Sequence, residues 1–147
     1  MLPFRPLLRR LTHGLTLGVR TIVRDESGHV LLVRHGYAPG WHLPGGGVDA
    51  GESAEAAARR ELLEETNVSA TAPLVLHGLY FNARFGGRDH VACFLVPAFS
   101  RGPTPKPNAE IREIAFFPLD APPADTSPGT ARRLAEVRGE SERTDRW

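Results

Sequence analysis

The chain has 147 residues, 41% of them hydrophobic, with 18 Lys and Arg against 17 Asp and Glu and a formal net charge of +1. That is enough for one domain with a proper core and too little for a second. The near-neutral balance and scattered arginines offer no basic face for duplex nucleic acid or an anionic membrane, and fit a small anionic ligand instead. The only cysteine, Cys93, sits in the apolar run HVACFLV, so there is no disulfide framework and no Cys/His zinc pattern. It reads as a buried strand thiol, in keeping with a reducing compartment.

Residues 1–16 read as an N-terminal extension. Early arginines and an apolar stretch suggest a leader, but His13 interrupts the stretch and no small-x-small cleavage site follows. No run reaches the ~18 apolar residues of a membrane span, and a cytoplasmic location is expected. The apolar segment suits a homodimer contact equally well. LGVRTIVR (17–24) and VLLVR (30–34) read as strands joined in a hairpin by DESGH.

The loop HGYAPGWHLPGGG leads to an alanine-rich helix, with Ser53 as its N-cap and Glu52 and Glu55 at the positive end of its dipole. The helix should stop near Thr66. Segments 73–82 and 90–96 read as a second hairpin around ARFGGRD. The Pro-rich connection 101–109 precedes the short apolar run IAFFPL. Ser127, Pro128 at the first helical position and Gly139 past GTARRLAEVR then bracket a second helix. Residues 140–147 are expected to be a mobile tail. Strands interleaved with two helices make the domain at 17–139 mixed α/β.

The chemistry is concentrated in residues 46–68, GGVDAGESAEAAARRELLEETNV. Glu61, Glu64 and Glu65 fall within an arc of about 100° on a helix, beside Ala54, Ala57 and Ala58. Like charges at these spacings cost a helix about 0.2–0.5 kcal/mol per pair. A small-residue face packs against protein rather than pointing into water, so such a cluster calls for cations. Carboxylates with no cysteine or closely spaced histidine select magnesium, with manganese as substitute, over zinc.

Gly46, Glu52, Arg60, Glu61, Leu62, Glu64, Glu65 and Val68 match in register the signature G-x5-E-x7-R-E-U-x-E-E-x-G-U, where U is a bulky aliphatic residue. The segment resembles the Nudix hydrolase family, with Asn67 where the family has its last glycine. Asn is the next most tolerant residue for the left-handed turn needed there.

The resemblance implies an α/β/α sandwich with a mixed sheet between helices. It also implies magnesium-dependent hydrolysis of a nucleoside diphosphate linked to a further group, by water attack on phosphorus. Carried onto this chain, it makes Glu61, Glu64 and Glu65 metal ligands or water-activating groups, with Glu61 favoured as shared ligand and base and Arg60 orienting the acids. A carbonyl at Gly45 is a further ligand. Glu52 reads as an acid behind the ligands or a helix stabiliser. Glu110 is the candidate for an additional ligand or alternative base, ahead of Glu113.

Tyr80 and Phe85 are candidates to stack on a base, and Arg84 and Arg88 to contact phosphates. His35, His42 and His90 read as ordinary polar residues. Signatures for coenzyme A or dinucleotide nicotinamides are missing, so nucleoside triphosphates, oxidised nucleotides and sugar nucleotides stay open. The competing reading is a catalytically silent nucleotide sensor, against which stands the retention of every acid of the signature.

Overall fold

The computed structural model describes residues 13–147, apart from the side chain of Phe85. Most of the N-terminal extension, and with it the expected dimer contact, lies outside the described residues.

Strand β1 (Thr16–Val23) forms the centre of a four-stranded sheet of order β3-β1-β6-β5. It runs antiparallel to β3 (Gly45–Gly47) and parallel to β6 (Asp89–Val96), which pairs antiparallel with β5 (Val75–Asn82). Strand β2 (His29–His35) pairs with β8 (Ile111–Pro118), and β4 (Val68–Ala70) with β7 (Phe99–Arg101). Helix α1 (Ala54–Thr66), a single helical turn α2 (Arg84–Gly87) and helix α3 (Pro128–Val137) complete the set. No helix among the described residues is long and apolar enough to cross a membrane.

Period-two alternation splits the apolar residues of the strands between two cores. Val19, Val23, Leu31, Ala92 and Phe94 pack with Ala57, Ala58 and Leu62 of α1. On the other side Ile22, Val30, Leu32, Tyr80 and Cys93 pack with Trp41, Leu43 and Leu134 of α3. The result is the expected α/β/α sandwich. Cys93 is fully buried, and burial pushes its thiol up to about 12.

Two expectations need correction. The turn after β1 forms, with Asp25 accepting from the amides of Ser27 and His29. However, β1 and β2 share only the bridge Arg24–Val30 before parting into separate sheets, because each has a longer partner elsewhere. The second correction concerns the tail. Phe81 donates its amide to Asp145 at 2.6 Å, and Trp147 donates its own to Phe81 at 3.0 Å. Residues 145–147, the end of the segment expected to be a tail, therefore add to the edge of β5. ARFGGRD does close a hairpin between β5 and β6, through the helical turn α2.

Helix α1 has the ends its sequence encodes. The Ser53 hydroxyl accepts from Ala56 at 3.0 Å, and Asn67 closes the helix at φ 57°, the only non-glycine with positive φ among the described residues. Its amide donates to Leu63, and its side chain donates to the Pro103 carbonyl at 3.0 Å. The asparagine thus offsets part of the left-handed cost with a hydrogen bond that glycine lacks. Replacing Asn67 by Gly should change stability by less than about 1 kcal/mol, because removed strain and lost bond oppose each other. Asn67→Ala keeps the strain and loses the bond, and should cost about 1–2 kcal/mol by urea denaturation. Equal costs for the two variants would refute this account.

Candidate active site

The acids of α1 reach the sheet because the helix face that carries them is made of alanine. Ala57 and Ala58 are fully buried, which lets the helix lie close to β1 and β3. Opposite it, β3 is three glycines. A Cβ on Gly45 would fall 1.9 Å from the Val19 carbonyl oxygen, and one on Gly46 would fall 2.6 Å from the Glu61 carboxylate. Close approach to backbone requires glycine at position 45, and a side chain at position 46 would displace the Glu61 carboxylate.

Arg60 fastens this arrangement. Its Nε and Nη2 form a two-pronged contact with Glu52 at 3.1 and 2.7 Å, Nη1 donates to Glu61 at 2.9 Å, and Nη2 also donates to the Gly47 carbonyl at 3.1 Å. A planar fork with fixed donor directions is suited to holding loop and helix in one geometry. Glu52 is thereby accounted for as the partner of Arg60, whose hydrogen bonds, with one from the Asp49 amide, hold the Glu52 carboxyl below its usual range.

One oxygen from each of Glu61, Glu65 and Glu110 lies within 4.8 Å of the other two. Glu110 arrives from the loop before β8, where the Asn108 side chain accepts from the amides of Glu110 and Ile111. Glu64 stands apart, 59% exposed and held only by Arg60 at 3.4 Å. Glu113 points away and pairs with Arg34. Three hard oxygen donors at this spacing, one of them deeply buried, fit a magnesium- or manganese-sized ion.

His35, which sequence alone ranks as an ordinary polar residue, is part of the site. It shares the face of Leu31 and Val33 on β2 and is buried with them, opposite a bulge in β8 where the pairing skips Arg112. Its Nε2 lies 3.2 Å from Glu65 Oε2, with both side chains almost wholly buried. Burial lowers His35 to about 4, helped by the Arg20 charge, and burial raises Glu65 to about 8 against the pull of Arg20 and a hydrogen bond from the Gly45 backbone. Burial also raises Glu61, opposed by its bond from Arg60. The directions agree that the histidine is neutral and that Glu65 holds a proton near neutral pH when no cation is bound.

A cavity of about 810 Å³, lined by none of the four acids but reaching Gly46 beside Glu61 and His35 beside Glu65, crosses the sheet from Gly46 and Gly47 on β3, past Thr16, Gly18 and Arg20 on β1, to Asp89 on β6 and Asn82 on β5. His35, Tyr37, Arg84, Arg132 and Trp147 also line it. Of the residues expected to bind substrate, Arg84 is at the cavity. Arg88 is exposed and donates to the Gly14 carbonyl at 3.1 Å, outside the lining.

Tyr80 is a correction. It is fully buried, its hydroxyl donates to Glu136 at 2.9 Å and the Arg133 guanidinium lies 3.7 Å over its ring, so no base can stack there. It packs in the core on the α3 side. The expectation for the Phe85 side chain falls outside the described residues. Sequence reasoning missed Arg20, His35, Tyr37 and Trp147, which reach the site from three separate stretches of chain. Only the loop position of Tyr37, before the glycines, hinted at it.

The shifts fix a pH dependence for the cation-free protein. Glu65 is raised from 4.5, so its contribution to stability is full at low pH and is lost as pH rises through about 8. His35 is lowered from 6.5, so its contribution grows as pH rises from about 4 to 6.5. The two trends oppose each other below pH 6.5, and Glu65 alone acts above it. Thermal melts without divalent cations should show stability falling between pH 6.5 and 8, and Glu65→Gln should flatten that slope. A slope unchanged in the variant would contradict the assignment.

Comparison with known proteins agrees with this geometry. Residues 14–137 match the family model described as NUDIX domain. A Bacillus subtilis (strain 168) protein named "Putative 8-oxo-dGTP diphosphatase" is 46% identical over 76 residues, covering 52% of this chain and 50% of its own length. "Putative mutator protein MutT4" of Mycobacterium tuberculosis (strain CDC 1551 / Oshkosh) is 34% identical over 103 residues, 68% of this chain and 41% of its own. The chain thus spans half or less of the length of these curated relatives. Among solved structures, the MutT NUDIX hydrolase from Burkholderia pseudomallei superposes with a TM-score of 0.72 at 28% identity, covering 83% of this chain and 97% of that one. The match runs through every strand that carries the site, and the chain belongs to the NUDIX domain family.

Proposed function

We propose that the protein is a magnesium-dependent pyrophosphohydrolase that cleaves a nucleoside diphosphate linked to a further group, releasing a nucleoside monophosphate and the phosphorylated remainder. The observation that carries this reading is the close approach of Glu61, Glu65 and Glu110 beside a cavity long enough to cross four strands. Relatives named for diphosphatase and pyrophosphohydrolase activities support the same class. Nucleoside triphosphates, oxidised nucleotides and sugar nucleotides are the substrate classes it covers. A cytoplasmic location accords with such substrates.

In this reading Glu61, Glu65 and Glu110 hold the ion, with Gly45 contributing its carbonyl and Glu64 joining from the exposed side of the same helix face. The bound ion supplies charge neutralisation at the phosphate oxygens and lowers the pKa of water. Everything else falls to the chain. Arg60 keeps Glu61 aimed at the glycine strand, so the acid needs no reorganisation when substrate arrives. Glu61 takes the proton of the attacking water. It is suited to this because it is partly shielded from solvent and held in place by its hydrogen bond from Arg60. His35 stays neutral and orients Glu65. Arg20 and Arg84 offer positive charge along the cavity wall to the remaining phosphate oxygens.

The test is turnover of a panel of nucleoside triphosphates, oxidised nucleotides, sugar nucleotides, ADP-ribose and dinucleoside polyphosphates, with and without magnesium, resolving the phosphate-containing products. Turnover should vanish on chelation. Glu61→Gln should lose roughly 10²–10⁴-fold, the usual share of a general base. Glu65→Gln should lose a similar amount, and the exposed Glu64→Gln roughly tenfold or more, as one charge-bearing ligand of several. Nucleotide binding by calorimetry with no turnover of any compound would overturn the enzymatic reading in favour of a sensor.

A further inference from the structure

Residues 145–147 form a short parallel addition to the edge of β5, with Phe81 pairing with Arg146 through its bonds to Asp145 and Trp147. Several separate contacts hold this segment. Arg133 donates to the Arg146 carbonyl at 3.0 Å, and Arg132 donates to the Trp147 backbone oxygen. The Arg133 guanidinium lies 5.0 Å from the indole, and the Tyr80 ring meets it edge to face at 5.8 Å. Helix α3 leaves a seat for the indole at its first turn, where a Cβ on Gly129 would fall 2.2 Å from Trp147 Nε1. Although so well held, Trp147 is only partly buried, and it lines the cavity.

Position within the sheet gives this wall a meaning. The acids sit against β3, one edge of the order β3-β1-β6-β5, and Trp147 sits on the opposite edge. Three strand spacings of ~4.8 Å separate these edges, about 14 Å. That is about the reach from the terminal phosphates of a nucleotide to its base. Beside Trp147, the Asn82 amide donates to Asp89 at 3.0 Å and the Thr16 hydroxyl donates to Asp89 at 2.7 Å. The polar floor of the cavity at this end is therefore fixed before any ligand arrives.

We infer that residues 145–147 are a substrate strap, and that Trp147 is the wall against which the aromatic base of the nucleotide packs. The inference rests on the pyrophosphohydrolase reading for what lies at the other end of the cavity. The strap acts on base recognition and leaves the phosphate end untouched.

The experiment compares GTP with inorganic tripolyphosphate, which carries the same chain of phosphates without a base. With magnesium at low temperature to limit turnover, Trp147 emission should be quenched by GTP in a Trp41→Phe background and unaffected by tripolyphosphate. Trp147→Ala should weaken GTP binding roughly tenfold or more, the range expected for base–aromatic stacking. Its tripolyphosphate binding should stay within about twofold of wild type, which also reports that the variant is folded. Trp147→Phe should keep most of the GTP affinity. Gly129→Ala, whose new methyl takes the indole's seat, should reproduce the loss.

Equal weakening of both ligands would overturn the inference, since it marks a structural role. Unchanged GTP binding in Trp147→Ala would overturn it while leaving the hydrolase reading intact. A wild-type protein that binds neither compound would sink both.

Discussion

The structure is organised around the close approach of acids that repel one another. Glu61 and Glu65 are held beside Glu110 in surroundings that burial has made unfavourable to charge. A fold can keep such a group only if neighbouring elements supply donors and leave no room for the acids to separate. Arg60 and the Gly45 amide supply donors. The three glycines of β3 and the alanines of α1 supply proximity, because any larger side chain at Gly46 would occupy the place of the Glu61 carboxylate. A cation held by these oxygens would relieve what these devices only contain.

The same requirement explains the division of labour between the two cores. The α1 side uses small residues, so that helix and sheet approach closely and the acids are set without slack. The α3 side uses bulk and buried polar contacts. Glu136, almost wholly buried, accepts from the Tyr80 hydroxyl and sits within 3.0 Å of both His77 and Arg133. Breaking one partner of such a buried set leaves a charge unpaired, which costs more than a surface pair ever contributes. This network locks α3 to β5 and thereby fixes the edge on which Trp147 rests.

The cavity links these two halves. One end reaches Gly46 and Gly47 of β3, beside the helix that carries the charges, the other reaches the edge of β5, and β1 and β6 form the floor between them. Arg20, anchored to the Leu43 carbonyl at 2.8 Å, is the cation nearest the middle of this path, and its charge acts on His35, His42 and Glu65 alike. A ligand with phosphate at one end and an aromatic group at the other matches that layout better than one with a single charged head.

What the sequence determined by itself is local. The spacing of Glu61, Glu64 and Glu65, the cap at Ser53, the left-handed stop at Asn67 and the apolar alternation of β1 and β6 follow from periods of 3.6 and 2 and from side-chain preferences at helix ends. Each involves residues close in the chain. Tertiary structure decided which of those acids meet. Glu110 joins Glu61 and Glu65 while Glu64 stays in solvent, because the loop before β8 and strand β3 cover only part of the arc that α1 presents. It also decided that β1 and β2 separate, that Tyr80 turns into the core, that His35 meets Glu65, and that Trp147 returns to the edge of β5. Those outcomes are pairings between strands and segments far apart in sequence, and no local periodicity carries the free energy of a partner that only folding brings near.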